Sequence, residues 1–151
     1  PTTTLLPYTT LFRSGHRTDF AKPFLQFQEV LRSRGIVLVV SDFYADPVAV
    51  ARTVAPLRHR GNDVILFHVL DPMEVAPVFN EPKILIDLET GHEMEVSPEY
   101  AQGPYRRKID SHLAAMKSEA EAAGLTYMLA ETNKPLDRAL REYLSIRQGR
   151  L

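Results

Sequence analysis

Two oxygen-bearing side chains stand where a strand-end ligand site would need them. Asp42 follows directly on the apolar run Ile36–Ser41, IVLVVS. In open α/β sheets, ligands bind outside the carboxyl ends of the strands. A carboxylate projecting there suits a hard cation such as Mg²⁺, which prefers oxygen donors. Thr18 lies just before the helical segment that leads into this strand, so its hydroxyl can face the same crevice as a neutral ligand. Each residue also has a plainer role. Asp42 or Asp46 can cap the following helix, and Thr18 or Asp19 can cap the preceding one. Position alone leaves both readings open.

Other candidates are weaker. Asp71-Pro72 reads as a turn or cap, or as a carboxylate supporting a ligand. The histidines at 16, 59, 68, 92 and 112 show no H-x-x-H or H-E-x-x-H spacing, so a zinc site is not expected. His68, inside an apolar run, reads as a hydrogen-bonded core residue. Asp42 and Asp46 are not spaced as the D-x-D of haloacid dehalogenase-type phosphatases. A Gly-rich phosphate loop and a Ser nucleophile elbow are also absent from the sequence. Arg106-Arg107-Lys108 and Arg58-His59-Arg60 read as solvated helix faces. No catalytic residue is assigned.

The elements that would position Asp42 alternate helix and strand. Phe20, Phe24, Phe27, Val30 and Leu31 define a helix over Asp19–Arg34, ended by Gly35. Ile36–Ser41 reads as a strand buried on both faces of a parallel sheet. Asp46-Pro47 supplies an N-cap and a first helical residue for a helix to Arg60. Gly61-Asn62 then turns the chain into the strand Asp63–Leu70. Lys83–Leu88 and Met94–Val96 flank Glu89-Thr90-Gly91-His92 as a hairpin. Ser97-Pro98-Glu99 opens a helix to about Ala123, with a break or kink at Gly103-Pro104, and Gly124 closes it. A strand Leu125–Ala130 and a helix Pro135–Arg147 complete the chain. This alternation implies an α/β fold with right-handed crossovers and a parallel sheet. Three such strands are few for an independent domain of the class.

At 151 residues, with 44% hydrophobic and 25% charged residues, the chain has the size and composition of one globular domain. A net charge of −1 gives no reason to expect nucleic acid as a partner. The absence of cysteine excludes disulfides, thiol chemistry and Cys-ligated metals, and fits a cytoplasmic location. The longest apolar run, Ile36–Val40, falls far short of the ~20 residues that span a bilayer.

The opening Pro1–Ser14, PTTTLLPYTTLFRS, has no helical or strand period. It resembles the translation of a sequencing adapter, TLFPYTTLFRS, differing over Thr4–Ser14 only at Leu6. Residues 1–14 are therefore expected to be a non-native leader, with the natural sequence beginning near Gly15.

Thr18-Asp19, the helix after it and Ile36–Asp42 resemble the second half of the metal-ion-dependent adhesion site of von Willebrand factor A domains. More closely, GHRTDF, SDFYADP, RHRGNDVILFHVLDP, DLETG and NKPLDRAL resemble the bacterial domain of unknown function 58 family. The resemblance implies that residues 15–151 are the C-terminal half of one von Willebrand A-like, Rossmann-like domain. That half is a partial doubly wound sheet with its first three strands missing and a small hairpin insertion. It implies Mg²⁺ held in the intact parent by Thr18, Asp42 and an upstream D-x-S-x-S motif. That motif is absent here, so metal binding by this chain is expected to be weak or absent. The implied function is a non-enzymatic protein-interaction module acting with a MoxR-type AAA+ ATPase or its client. The parent can carry N-terminal membrane helices. The rival reading is a Mg²⁺-dependent hydrolase using Asp42; a third is a fragment without independent function. Loss of the neighbouring strands would also leave Ile36–Ser41 as an edge open to self-association, which Val39→Lys should block.

Overall fold

The computed structural model describes residue 24 and residues 34–86, 91, 93–135, 137, 141 and 143–145. The leader 1–14, Thr18, most of the helix expected over 19–34 and most of the hairpin turn lie outside the described residues, as does much of the final helix.

The fold is mixed α/β. Its strands are β1 (Ile36–Ser41), β2 (Asp63–Leu70), β3 (Lys83–Ile86), β4 (Glu93–Val96) and β5 (Thr126–Glu131). Helix α1 (Pro47–His59) joins β1 to β2, and the short α2 (Pro72–Val75) follows β2. After the hairpin come α3 (Pro98–Tyr100), a π-helical turn at Ala101–Tyr105 and the long α4 (Arg106–Ala122). Strands β1, β2 and β5 form a parallel sheet in that order, and β3 and β4 form a separate antiparallel ribbon.

Helices α1 and α4 cover one face of the sheet. Val37, Val39, Val64 and Leu66 point into this layer and meet Val50, Val54 and Leu57 of α1 and Met116 and Ala120 of α4. On the other face Ile65, Phe67 and Met128 cluster, with Tyr143 packed against them. The sheet thus has cover on both sides at β2 and β5.

β1 departs from expectation. Its residues alternate: Val37 and Val39 are buried, while Ile36, Leu38 and Val40 are each more than half exposed. An apolar run describes what a strand can bury; what it does bury depends on the layer lying over it. Among the described residues β1 has a strand neighbour on one side only. Val39 is therefore a core residue, and charging it would not block an edge but disrupt the interior.

Local signals account for the turns. Asp46 accepts a hydrogen bond from the Ala49 N–H at 2.8 Å, with Pro47 at the first helical position, as the sequence indicates. Buried Asn62 takes the Gly35 N–H on Oδ1 at 2.9 Å and donates Nδ2 to the Leu57 carbonyl at 2.8 Å. It thereby fixes the start of β1 to the end of α1. Pro104 has no N–H to return to the preceding turn, and the helix passes it by widening into a π turn rather than breaking.

Gly124 closes α4 with φ of +71°. Its N–H bonds to Glu121 O at 2.9 Å, and the Leu125 N–H to Ala120 O at 2.8 Å, a Schellman arrangement. A side chain in this left-handed conformation costs ~1–2 kcal/mol. Gly124→Ala should lower the unfolding free energy by that amount, read as a lower urea midpoint with an unchanged slope; an unchanged midpoint would refute the assignment.

Candidate functional site

The carboxyl ends of β1, β2 and β5 lie along one edge of the parallel sheet, and the loops leaving them carry the candidate groups. Asp42 is exposed just beyond β1. The Ser41 hydroxyl donates to its Oδ1 at 3.3 Å and accepts the Phe43 N–H at 3.1 Å. This clasp holds the carboxylate beside the turn.

Phe43 makes that turn with φ of +44°, a conformation a bulky side chain adopts only under constraint. The constraint is tertiary. Its ring is buried and packs edge-on against His68, with centroids 5.3 Å apart. Its carbonyl accepts from His112 Nε2 at 3.1 Å and from the Ala45 N–H at 2.7 Å. Thus α4 and β2 together dictate the path of the chain immediately after Asp42.

His68 is fully buried, as expected of a core histidine, and its Nδ1 is 2.9 Å from the Tyr127 hydroxyl. Burial lowers its pKa below the ordinary value, and the neighbouring His112 pushes the same way; the Asp42 backbone carbonyl pulls against them. No hydrogen bond to Nε2 is completed. Burial pushes the Tyr127 hydroxyl up to about 12, so it stays protonated.

At the end of β2, Asp71 is a cap with more structure than a turn. It accepts the Met73 N–H at 2.8 Å, while its own N–H donates to Glu74 Oε2 at 2.7 Å, closing a capping box around α2. Thr132, just past β5, donates its hydroxyl to Asp71 Oδ2 at 3.1 Å. Tyr44 donates to Glu74 Oε1 at 3.1 Å, and Tyr105 to the Glu74 carbonyl at 2.7 Å. Burial and the Glu74 carboxylate both raise the Tyr44 pKa. These bonds, which the sequence analysis did not identify, tie the three strand-end loops together.

The family model described as protein of unknown function DUF58 matches residues 10–120, well over half of the chain. The chain belongs to the DUF58 family. No curated protein and no solved structure gives a match to this DUF58 chain.

Among the described residues of this DUF58 chain, no three His, Asp or Glu side chains converge as a metal-binding group. Asp71 is engaged as a cap, leaving Asp42 as the exposed strand-end carboxylate of the β1 loop; Thr18 lies outside the described residues. Mg²⁺ demands near-octahedral oxygen coordination, which one carboxylate and a neighbouring hydroxyl do not supply. These residues fit part of a ligand set rather than a complete one. No helix among the described residues is long and apolar enough to cross a membrane.

Proposed function

We propose that this DUF58 chain is part of a non-enzymatic protein-interaction module whose contact surface is the carboxyl edge of the parallel sheet. The observation that carries the reading is Asp42: an exposed carboxylate, clasped by Ser41, at the strand-end edge where α/β sheets bind ligands. The sequence resemblance to von Willebrand A domains supplies the rest. In a parent protein with further oxygen ligands, Asp42 and Thr18 would share a Mg²⁺ ion. The ion would supply a coordination position for a partner's Asp or Glu carboxylate. A MoxR-type AAA+ ATPase or its client is the partner this resemblance favours.

A Mg²⁺-dependent hydrolase is the weaker reading because the nearby imidazoles are already committed. His68 is buried against Tyr127, and His112 is spent on the Phe43 carbonyl. His68 is thereby closed to water, and His112 has one ring nitrogen engaged.

Calorimetry of the 151-residue chain should show no submillimolar Mg²⁺ binding. A longer protein carrying the upstream segment should bind Mg²⁺ and lose at least tenfold in affinity in both Asp42→Ala and Thr18→Ala. It should also bind a carboxylate-bearing partner only with the metal. Strong binding by this chain, or phosphatase turnover without partner binding, would overturn the proposal.

A further inference from the structure

Among the described residues Phe43 is the one non-glycine whose backbone takes a positive φ, +44°. It follows Asp42 directly, at the edge of the sheet where the contact surface lies. Bulky side chains avoid this region. Where they hold it, the surroundings enforce it, and such positions cluster at functional sites.

Two parts of Phe43 are fixed by distant elements. Its ring is 1% exposed and lies edge-on to His68. Its carbonyl accepts the Ala45 N–H at 2.7 Å and is met by His112 Nε2 at 3.1 Å. A carbonyl only accepts, so Nε2 of His112 carries the proton and donates. His112 stands on a firm base. It lies on the side of α4 that carries Ile109 and Met116 into the core, and its ring meets His68 edge-on with centroids 6.0 Å apart.

The φ angle of Phe43 is the rotation that joins the Asp42 carbonyl to the Phe43 Cα. With the ring and carbonyl of Phe43 anchored, a change in that angle turns the Asp42–Phe43 peptide. On the other side Ser41 is held in the sheet opposite His68, so Asp42 has to absorb the change. The imidazole of His112 therefore acts on Asp42 through the backbone. Without its N–H, the turn is free to relax toward negative φ and re-aim the carboxylate.

We infer that His112 is a positioning residue for Asp42: its Nε2–H holds Phe43 in the left-handed conformation that sets the direction of the Asp42 carboxylate. What Asp42 binds rests on the function proposed above; how it is aimed does not, and the two are tested apart.

Two substitutions separate the hydrogen bond from packing. His112→Phe keeps a ring against His68 but has no donor, whereas His112→Gln loses the ring and keeps an N–H. In the 151-residue chain, the magnetic-resonance cross-peak between the Phe43 amide proton and its own Hα reports φ, being strongest when φ is positive. It should persist in His112→Gln, but weaken in His112→Phe, with the Asp42 resonances shifting. Were packing alone responsible, the order would be reversed. Should His112→Phe fail to fold, His112→Ala carries the same expectation. In a longer protein with the upstream segment, His112→Phe should weaken Mg²⁺ binding about tenfold, as loss of a group that orients a metal ligand does. His112→Gln should bind nearly as the unaltered protein does. An unchanged Phe43 cross-peak in both donor-less variants would overturn the inference. So would Mg²⁺ affinity that falls in Asp42→Ala but in neither of them. Mg²⁺ affinity indifferent to Asp42→Ala would overturn the proposed function instead, with the cross-peak still deciding the role of His112.

Discussion

Val39→Asp should abolish cooperative folding, whereas Leu38→Lys, one residue away, should leave stability within ~0.5 kcal/mol and improve solubility. The contrast follows from the strand's alternation. Val39 points into the layer filled by α1 and α4 and packs with Val54, Leu57, Leu66 and Met116. An aspartate there cannot reach water, and an unpaired buried charge costs several kcal/mol. That is a large part of the 5–15 kcal/mol that holds a typical domain together. Leu38 lies on the opposite face and is 51% exposed. We expect the unmodified chain to self-associate through Ile36–Ser41, because among the described residues this uncharged apolar strand lies at the edge of its sheet and such an edge is a template for pairing. A lysine at Leu38 leaves the core intact and places charge on that edge. Sedimentation velocity against concentration and calorimetric unfolding of the two variants would check both halves. A cooperatively folded Val39→Asp, or wild-type chain that stays monomeric at high concentration, would contradict the argument.

The same strand shows what was legible in the sequence. Ile36–Ser41 is apolar at every position before the serine, so strand formation and the place of Asp42 at its end could be read directly. Which face is covered could not, because that depends on elements elsewhere in the chain. Local chemistry was the most readable: the Asp46-Pro47 cap, the Gly61-Asn62 turn and the Gly124 stop each depend on a few neighbouring residues. Asp71-Pro72 was legible as a turn or cap, but the part Glu74 plays in closing a capping box was not read from the sequence. Gly103-Pro104 signalled an irregularity but not its form, since widening and breaking both relieve the missing N–H. The surroundings of Asp42 were the least legible. Phenylalanine is not a residue that announces a left-handed turn, and what forces Phe43 into one is contributed by His68 and His112 from distant elements. Tyr127, which fixes His68, is 59 residues from it in sequence. Pairings of that kind leave no periodic trace.

That buried histidine also makes stability depend on pH, with a sign the structure determines. Around His68 stand Tyr127 of β5, His112 of α4, and the more remote carboxylates of Asp42 and Glu74. Burial has the largest influence and lowers the folded-state pKa below 6.5. In the unfolded chain the imidazole is free to bind a proton near its ordinary value. Above that value both states hold it neutral, and its contribution to stability is complete. As pH falls below about 6.5 the unfolded chain takes up a proton that the folded one refuses. Stability then declines by up to ~1.4 kcal/mol per pH unit until the folded-state pKa is reached. Charging His68 inside the fold would also set an imidazolium beside His112 and behind the Phe43 ring that shapes the turn after Asp42. The chain should therefore unfold at a lower temperature at pH 5 than at pH 7.5. His68→Leu combined with Tyr127→Phe removes the titrating ring without leaving the hydroxyl unpaired, and should flatten that dependence. Calorimetric midpoints for both proteins across pH 5 to 8 decide it: parallel curves would show that the acid sensitivity arises at other groups, and that His68 is not the residue whose charge the fold excludes.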